Sequence, residues 1–315
     1  MTPGLRADIE RRYGLRLQPG RRLGGGDEAE IWRSAVGDSG SAGPAGPSLR
    51  QDLVVRISPA WRTFQEIAWT HALTRFVAAA VPEAVAPVAA RDGASAFVHR
   101  GRCVALFPFV AARPVRTAHA MERLAAAELL ARLHTKMLRW PVAAGSRPPS
   151  GRPQSTAGSP VAGEPDLLAD PVLDAWYAER RRVGDLTRAP IHGDYYRRNL
   201  RWAHRRIAGV IDWDDVHEDF VMQEVAWSTW EFSQVPSGDD LDFGRAKAFL
   251  GAYRAAGGPC APQEYGHMLP FIRLRLRGEI RWNLQSAARG EPWDAEYVAQ
   301  ELRAFQSLKG AVGPW

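Results

Sequence analysis

The most constraining part of this sequence is the stretch from Ala189 to Val216, where two short apolar runs each end in residues able to carry chemistry. The first run leads into HGDYYRRNLRW at 192–202, and the second, RIAGVIDWDDV at 206–216, ends at Asp212, Asp214 and Asp215. Runs this short, broken by glycine and aspartate, read as strands that hand polar side chains to loops. Asp194 and Asn199 are five residues apart on the first loop, and Asp212 follows Asn199 by thirteen. Phosphoryl transfer from a nucleotide requires this inventory: one carboxylate to orient or deprotonate an attacking hydroxyl, and two oxygen ligands to hold Mg²⁺ against the β- and γ-phosphates. An HGD tripeptide alone is a weak signal; the two elements at this separation, each behind a strand signal, are far more specific.

The flanking sequence is consistent with that placement. Upstream, RRLGGGDEAEIWRS reads as a strand, a glycine turn and a second strand, and QDLVVRIS as a third. TFQEIAWTHALTRFVAAA spaces Phe64, Ile67, Ala68, His71, Ala72 and Phe76 as one face of a helix that Pro82 stops. SAFVHRG and CVALFPFV form a strand pair turning at Gly101 and Arg102, and MERLAAAELLARLHTKM is a strongly periodic helix. DPVLDAWYAERRRV is another helix, and from Val221 onward the chain reads as helical. A strand-rich first third followed by a mainly helical remainder predicts an α+β protein in two lobes, 1–110 and 111–315. Residues 37–48 and 141–165, rich in Gly, Pro, Ser and Ala without apolar periodicity, read as linkers, the second a flexible insertion in the helical lobe.

Composition narrows the classes. In 315 residues no uninterrupted apolar run reaches the roughly 18 to 20 residues that a membrane span needs. The N-terminus carries charges where a secretion signal needs an apolar core, and Cys103 and Cys260 are the only cysteines. A reduced, cytoplasmic protein without a cysteine zinc site is the expectation. A net charge of +6 would suit weak attraction to nucleic acid, but the basic residues are almost all arginine along the whole chain, with lysine only at Lys136, Lys247 and Lys309. That pattern is a compositional bias more than a binding patch. The acids are clustered: no Lys or Arg occurs between Ile207 and Gly244, while Asp212, Asp214, Asp215, Glu218, Asp219, Glu224, Glu231, Asp239, Asp240 and Asp242 fall inside. The later part of that run reads equally well as a solvated face.

On HGDYYRRN and GVIDWDD the chain resembles the aminoglycoside phosphotransferase-like superfamily, which includes choline kinases and type II homoserine kinase-like enzymes on a protein-kinase-like fold. The resemblance implies Asp194 as catalytic base and Asn199 and Asp212 as Mg²⁺ ligands. It makes His192 a brace for the catalytic loop, and Asp214 a support for a second metal or its waters. LGGGDEAEIW looks like the nucleotide-covering turn, giving Gly24, Gly25 and Gly26 a phosphate-facing role, although a glycine triplet is also an ordinary hairpin turn. CVALFPFVAARP resembles the hinge that receives adenine, with Phe107, Phe109 and Val110 as candidates, although an aromatic strand is also plain core. His134, on the apolar face of its helix, reads as a satisfied core histidine.

Three departures from the family pattern stand out. No lysine precedes Lys136, so Arg56 in LVVRIS must take the place of the strand lysine that pairs the α- and β-phosphates. The helix glutamate that would hold that lysine falls at Thr70, with Glu66 one turn earlier as a substitute partner for Arg56. Glu224 in QEVAW stands where an aspartate usually braces the lobe. No Ala-Pro-Glu signature follows Asp212, which points to a small-molecule hydroxyl acceptor, aminoglycoside- or antibiotic-like or amino-alcohol-like, phosphorylated with ATP or GTP. The acidic run suits a cationic acceptor. Arg273, Arg275, Arg277, Arg281 and Arg289 would suit an anionic or nucleoside-like one if any lined the cleft, though some of them are expected to face solvent or to pair helices. A catalytically silent nucleotide-binding regulator, a homoserine- or protein-directed kinase of the same fold and a nucleic-acid-binding protein are the competing readings.

Overall fold

The computed structural model describes residues 1–24, 29–37, 52–141, 148–149, 160 and 164–315. Gly25, Gly26 and most of the two predicted linkers lie outside the described residues. The chain divides into two compact units, one chiefly from Met1–Ala112 with Ala208–Asp214, the other from Arg113–Pro141, Pro149–Ile207 and Asp215–Trp315. Asp212 and Asp214 belong to the first unit, Asp194 and Asn199 to the second.

In chain order the first unit contains α1 (Pro3–Tyr13), β1 (Arg16–Leu17), β2 (Arg21–Leu23), β3 (Glu30–Ser34), β4 (Val36–Gly37), β5 (Leu53–Ile57), α2 (Phe64–Ala78), β6 (Phe97–His99) and β7 (Arg102–Pro108). Five strands make an antiparallel sheet in the order β2-β3-β5-β7-β6, and β1 pairs with β4. Residues 1–15 gave no helix in the sequence analysis, yet α1 has well-formed ends. Thr2 accepts the Leu5 N–H at 3.3 Å, Pro3 sits in the first turn, and Gly14 closes the helix in the left-handed region at φ 68°. The charged exterior of α1 hides its short apolar stripe, Leu5 and Ile9, both buried. That stripe packs with Leu53, Val55, Ile57, Val104 and Leu106 on one face of the sheet.

The period-two pattern of β5 places Leu53, Val55 and Ile57 in that core and leaves Val54 and Arg56 half-buried on the opposite face. There Arg56 stands opposite Ala105, which packs with Ile67 of α2. Thr63 and Glu66 form a capping box that fixes the start of α2. The β6–β7 turn is made by Arg100 and Gly101, with φ 49° and 76°, one residue earlier than the sequence suggested. Two left-handed residues match the twist of a two-residue hairpin, and Arg102 is free to join β7, where it binds the Ser58 carbonyl at 2.8 Å.

The second unit holds β8 (Arg113–Pro114), α3 (Ala120–Met137), α4 (Pro171–Val183), β9 (Arg188–Ile191), β10 (Leu200–Ala203), the start of β11 (Arg206–Val210), β12 (His217–Phe220), α5 (Val221–Ser233), α6 (Phe243–Ala255), α7 (Met268–Ala288) and α8 (Ala295–Ser307). The helices stand close to where periodicity placed them, and Asp170 and Gly184 cap the two ends of α4. The short strands were harder to read: β9 pairs with β12 from Ile191↔His217 to Arg188↔Phe220, and β10 with β8. Among the described residues no helix is long and apolar enough to cross a membrane.

Candidate active site

Within the second unit, β9 ends at Ile191 and the chain turns directly into the loop carrying His192, Asp194 and Asn199. Gly193 has φ 83°, and a Cβ there would lie 2.2 Å from the Asp215 carbonyl oxygen, so conformation and close approach both demand glycine. The Asn199 side-chain amide donates to Asp194 twice, to its carbonyl and to Oδ2, at 2.9 Å each. The half-buried Asp194 carboxylate is thereby held by the buried Asn199. His192 is fully buried, its Nδ1 accepts the Asp194 N–H at 3.3 Å, and its ring meets Tyr195 edge-on. That is the bracing role the resemblance implied for it.

Beneath this loop lies a buried polar network. Glu224 Oε2 accepts the His192 N–H at 3.0 Å, and Oε1 accepts the Gly193 N–H at 2.5 Å. The same carboxylate meets His134 Nε2 at 2.8 Å, and His134 Nδ1 meets the Tyr253 hydroxyl at 2.9 Å. Burial alone would raise the Glu224 carboxyl, but the hydrogen bond and charge of His134 and the loop N–H groups hold it below the usual carboxylate range. Glu224 therefore fixes loop backbone as well as the helix it stands on, and His134 is the satisfied core histidine that the sequence suggested.

The acidic run is not a uniform solvated face. Glu231, read as part of it, is half-buried on α5, and its carboxyl is pushed up to about 7 by burial, reinforced by the nearby charges of Asp194 and Glu279. Its position between Trp230 and Phe232 was the available sign. Of the two expectations for the arginines at 273–289, solvent-facing or pairing helices, the second holds for most: Arg273, Arg275, Arg277 and Arg281 are buried. Arg273 binds Asp170 at 2.7 Å, Arg277 Asp174 at 2.5 Å, Arg281 Glu164 at 2.8 Å, and Arg275 Glu279 at 2.7 Å. Only Arg289 is exposed, paired with Glu291 at 2.7 Å. Arg273, Arg277 and Arg281 tie the 164–174 segment to α7, and each of the five guanidinium groups already has a carboxylate.

Within the first unit, the segment Ala208–Asp214 is anchored by the Val85 N–H to the Val210 carbonyl at 3.0 Å and the Val210 N–H to the Glu83 carbonyl at 2.6 Å. Gly209 packs so tightly that a Cβ would come within 3.0 Å of both Val85 and Val110. Past this anchor, Asp212 adopts φ 63°, a left-handed conformation uncommon for a non-glycine residue and typical of functional turns. Arg56 of β5 is ion-paired with Asp214 and lies 3.3 Å from Asp212 Oδ1. Glu66, expected as a partner for Arg56, is instead engaged by the N-cap: its Oε2 accepts from the Thr63 N–H at 2.9 Å and from Oγ1 at 2.8 Å. Thr70 is buried and its hydroxyl has no hydrogen-bond partner among the described residues.

The other nucleotide candidates also have local partners. Phe107 meets the buried His71 ring edge-on at 5.5 Å, and His71 Nδ1 lies 3.0 Å from Ser95 Oγ. Burial lowers His71 to about 4, keeping it neutral. The Arg33 guanidinium lies 3.9 Å over the Phe109 ring, and the Phe109 N–H donates to the Asp52 carbonyl at 2.9 Å. Val110 forms the wall against Gly209. Among the described residues, nothing lies within 4 Å of where a Cβ on Gly24 would stand.

Taken one at a time, the side chains suit a hard divalent cation: both side-chain hydrogen bonds of Asn199, in the second unit, use its nitrogen and leave Oδ1 as an oxygen donor, and Asp212, in the first unit, offers a carboxylate. A family model described as the phosphotransferase enzyme family matches residues 45–271, well over half of the chain. Among solved structures, an amicoumacin kinase, hAmiN, in complex with AMP-PNP, Ca²⁺ and Ami is similar at 15% identity and TM-score 0.69, over 99% of this chain and 95% of that one. A microcompartment-associated aminopropanol kinase follows at 15% identity and TM-score 0.67, over 98% and 95%. Spectinomycin phosphotransferase APH(9)-Ia, in complex with ADP and spectinomycin, matches at 11% identity and TM-score 0.62, over 100% and 95%. At these identities the likeness is one of fold. No curated protein sequence matches the chain.

Proposed function

The chain belongs to the phosphotransferase enzyme family and is an ATP-dependent enzyme acting on a hydroxyl group, and we propose that its acceptor is an amine-bearing small molecule, antibiotic-like or amino-alcohol-like. The observation that carries the chemistry is the Asp194 carboxylate, held by Asn199 on a loop that Glu224 fixes from below. A carboxylate so placed accepts the acceptor's hydroxyl proton late in the reaction. The acceptor oxygen forms its bond to the γ-phosphorus as the bond to the β–γ bridging oxygen breaks, and ADP leaves. Asn199 and Asp212 would hold Mg²⁺, which when bound neutralises charge on the phosphates. Arg56 takes the phosphate-side cation role, Gly24 opens the covering turn, and Phe107, Phe109 and Val110 face adenine; GTP is the alternative donor.

The preference for a cationic acceptor rests on the α7 arginines. Each is already paired with a carboxylate, so an anionic acceptor would have to displace an existing partner. A second reading, a catalytically silent nucleotide-binding regulator, draws on the engagement of Arg56 by Asp212 and Asp214. A thermal-shift series with ATP, GTP or neither, each with and without Mg²⁺, addresses both readings, because ligands that bind only the native state raise its apparent stability. A Mg²⁺-dependent shift, followed by phosphate transfer to aminoglycosides or amino alcohols, is the expected result. Asp194→Ala should then lower kcat by about 10²- to 10⁴-fold while nucleotide still binds, the loss typical of a missing general base. A nucleotide shift without transfer to any hydroxyl acceptor would favour the silent regulator.

A further inference from the structure

The cation on β5 and the acids after β11 are joined within the first unit by a second arginine that no sequence reading singled out. Arg62, in the loop between β5 and α2, is buried, donates from Nη1 to the Asp214 backbone carbonyl at 2.6 Å, and lies 3.9 Å from the Asp214 carboxylate. Asp214 in turn is ion-paired with Arg56, whose side chain is mostly buried. The facing helix α2 offers Arg56 no acid: Thr70 is uncharged, and Glu66 is engaged by the Thr63 cap. The segment bearing Asp214 is anchored to the same unit through Val210 and the close packing of Gly209. Arg62, Asp214 and Arg56 thus form a chain of contacts within one unit, ending 3.3 Å from Asp212.

We propose that Asp214 is the residue that positions Arg56 for the nucleotide phosphates, and that Arg62 holds Asp214 in place for that task. The proposal deepens the phosphotransferase reading and rests on it. A guanidinium carries five N–H donors in a planar fork, so one edge can hold a carboxylate while another meets phosphate oxygens. An ammonium on a flexible stem lacks that division of edges. Because Asp212 is two residues before Asp214 and in reach of the same guanidinium, the arrangement also sets the phosphate-side cation against the acid proposed for the metal. Asp214 is then a positioning residue and not a second metal ligand.

The test compares wild type, Asp214→Asn, Arg62→Gln and the double variant Asp214→Asn with Thr70→Glu, the last moving the acid to the helix. Calorimetric titration with ADP in the absence of divalent metal reads the phosphate-side cation alone. The expected result is about tenfold weaker metal-free ADP binding for Asp214→Asn, the equivalent of one half-buried charge contact, and a smaller loss for Arg62→Gln. KM for ATP should rise in parallel with less change in kcat, and Thr70→Glu should recover affinity in the Asp214→Asn background. Melting temperatures of the nucleotide-free variants separate this from general destabilisation, since a purely structural role would lower them without the KM-against-kcat split or the recovery. Unchanged metal-free ADP affinity in Asp214→Asn, with a higher Mg²⁺ requirement for turnover, would overturn the proposal in favour of a metal-ligand role. Wild type that binds no nucleotide would instead overturn the phosphotransferase reading beneath it.

Discussion

The HGD loop of the second unit and the arginine–aspartate cluster of the first are held by different physics. His192 and Gly193 are fixed through backbone N–H groups that end on one buried carboxylate, Glu224, itself held by the fully buried His134. Arg56, Asp212 and Asp214 are joined by long, charged side chains that keep some contact with solvent, with the two aspartates 41% and 22% exposed. The first arrangement is overdetermined, because losing one contact strands several polar groups away from water. The second is less enclosed, because ion pairs that keep some contact with water are worth less to stability than groups sealed in the core, and Asp212 at its end is the most open of the set. The former suits the proton-acceptor role proposed for Asp194, and the latter the phosphate-facing role proposed for Arg56.

The largest expected effect breaks the first half of the comparison. Glu224→Ala should cost about 3–5 kcal/mol in denaturant unfolding, since His134 and two loop N–H groups lose their partner inside the core. A cost near that of an exposed ion pair would show that the loop is not held from below. Gly193→Ala comes next, forcing a Cβ onto the Asp215 carbonyl at a positive φ. About 1–3 kcal/mol of strain should appear in the unfolding free energy, with a drop in kcat as Asp194 is displaced. In the first unit, Thr63→Ala should cost only about 1 kcal/mol through the lost α2 cap, read from the thermal midpoint.

Two pH dependences sharpen the contrast through their opposite signs. His71 has a folded pKa of about 4 against 6.5, so the unfolded chain binds more protons between those values and stability contributed there is lost as pH falls from 6.5 towards 4. Glu231 has a folded pKa of about 7 against 4.5, so the native state binds more protons in that window and stability falls as pH rises from 4.5 to 7. Measured across pH, His71→Asn should flatten the acid side of the melting profile, and Glu231→Gln should raise the midpoint above pH 7 while leaving it little changed near pH 4. Both substitutions acting on the same side of the profile would contradict these assignments.

Much of this was legible before any coordinates. Periodicity placed the long helices because their burial repeats every three to four residues, and the HGD and IDWDD elements stood out because few chemistries need those residues at that separation. The helix at Pro3–Tyr13 escaped because its core stripe is only Leu5 and Ile9 among charges, a pattern with almost no net hydrophobic signal. The short strand β12 escaped for a related reason: four residues are too few to show alternation. For Glu231 and the arginines of α7 the sequence left solvent-facing and partnered readings both open, because composition counts charges without knowing which of them find partners.

The sequence by itself determined the family, the two-part α+β architecture and the loop residues proposed for catalysis, since these depend on local order, spacing and residue type. It could not say which charge meets which. That Arg56 pairs with Asp214 and not Glu66, that Arg62 joins them, and that Glu224 grips the backbone of the HGD loop are matters of tertiary structure alone. Arg56 and Asp214 are 158 residues apart, a contact that no local rule can foresee. Charges act through space: an ion pair is selected by where folding leaves two side chains and how far it removes them from water, and neither quantity is written in the neighbourhood of either residue.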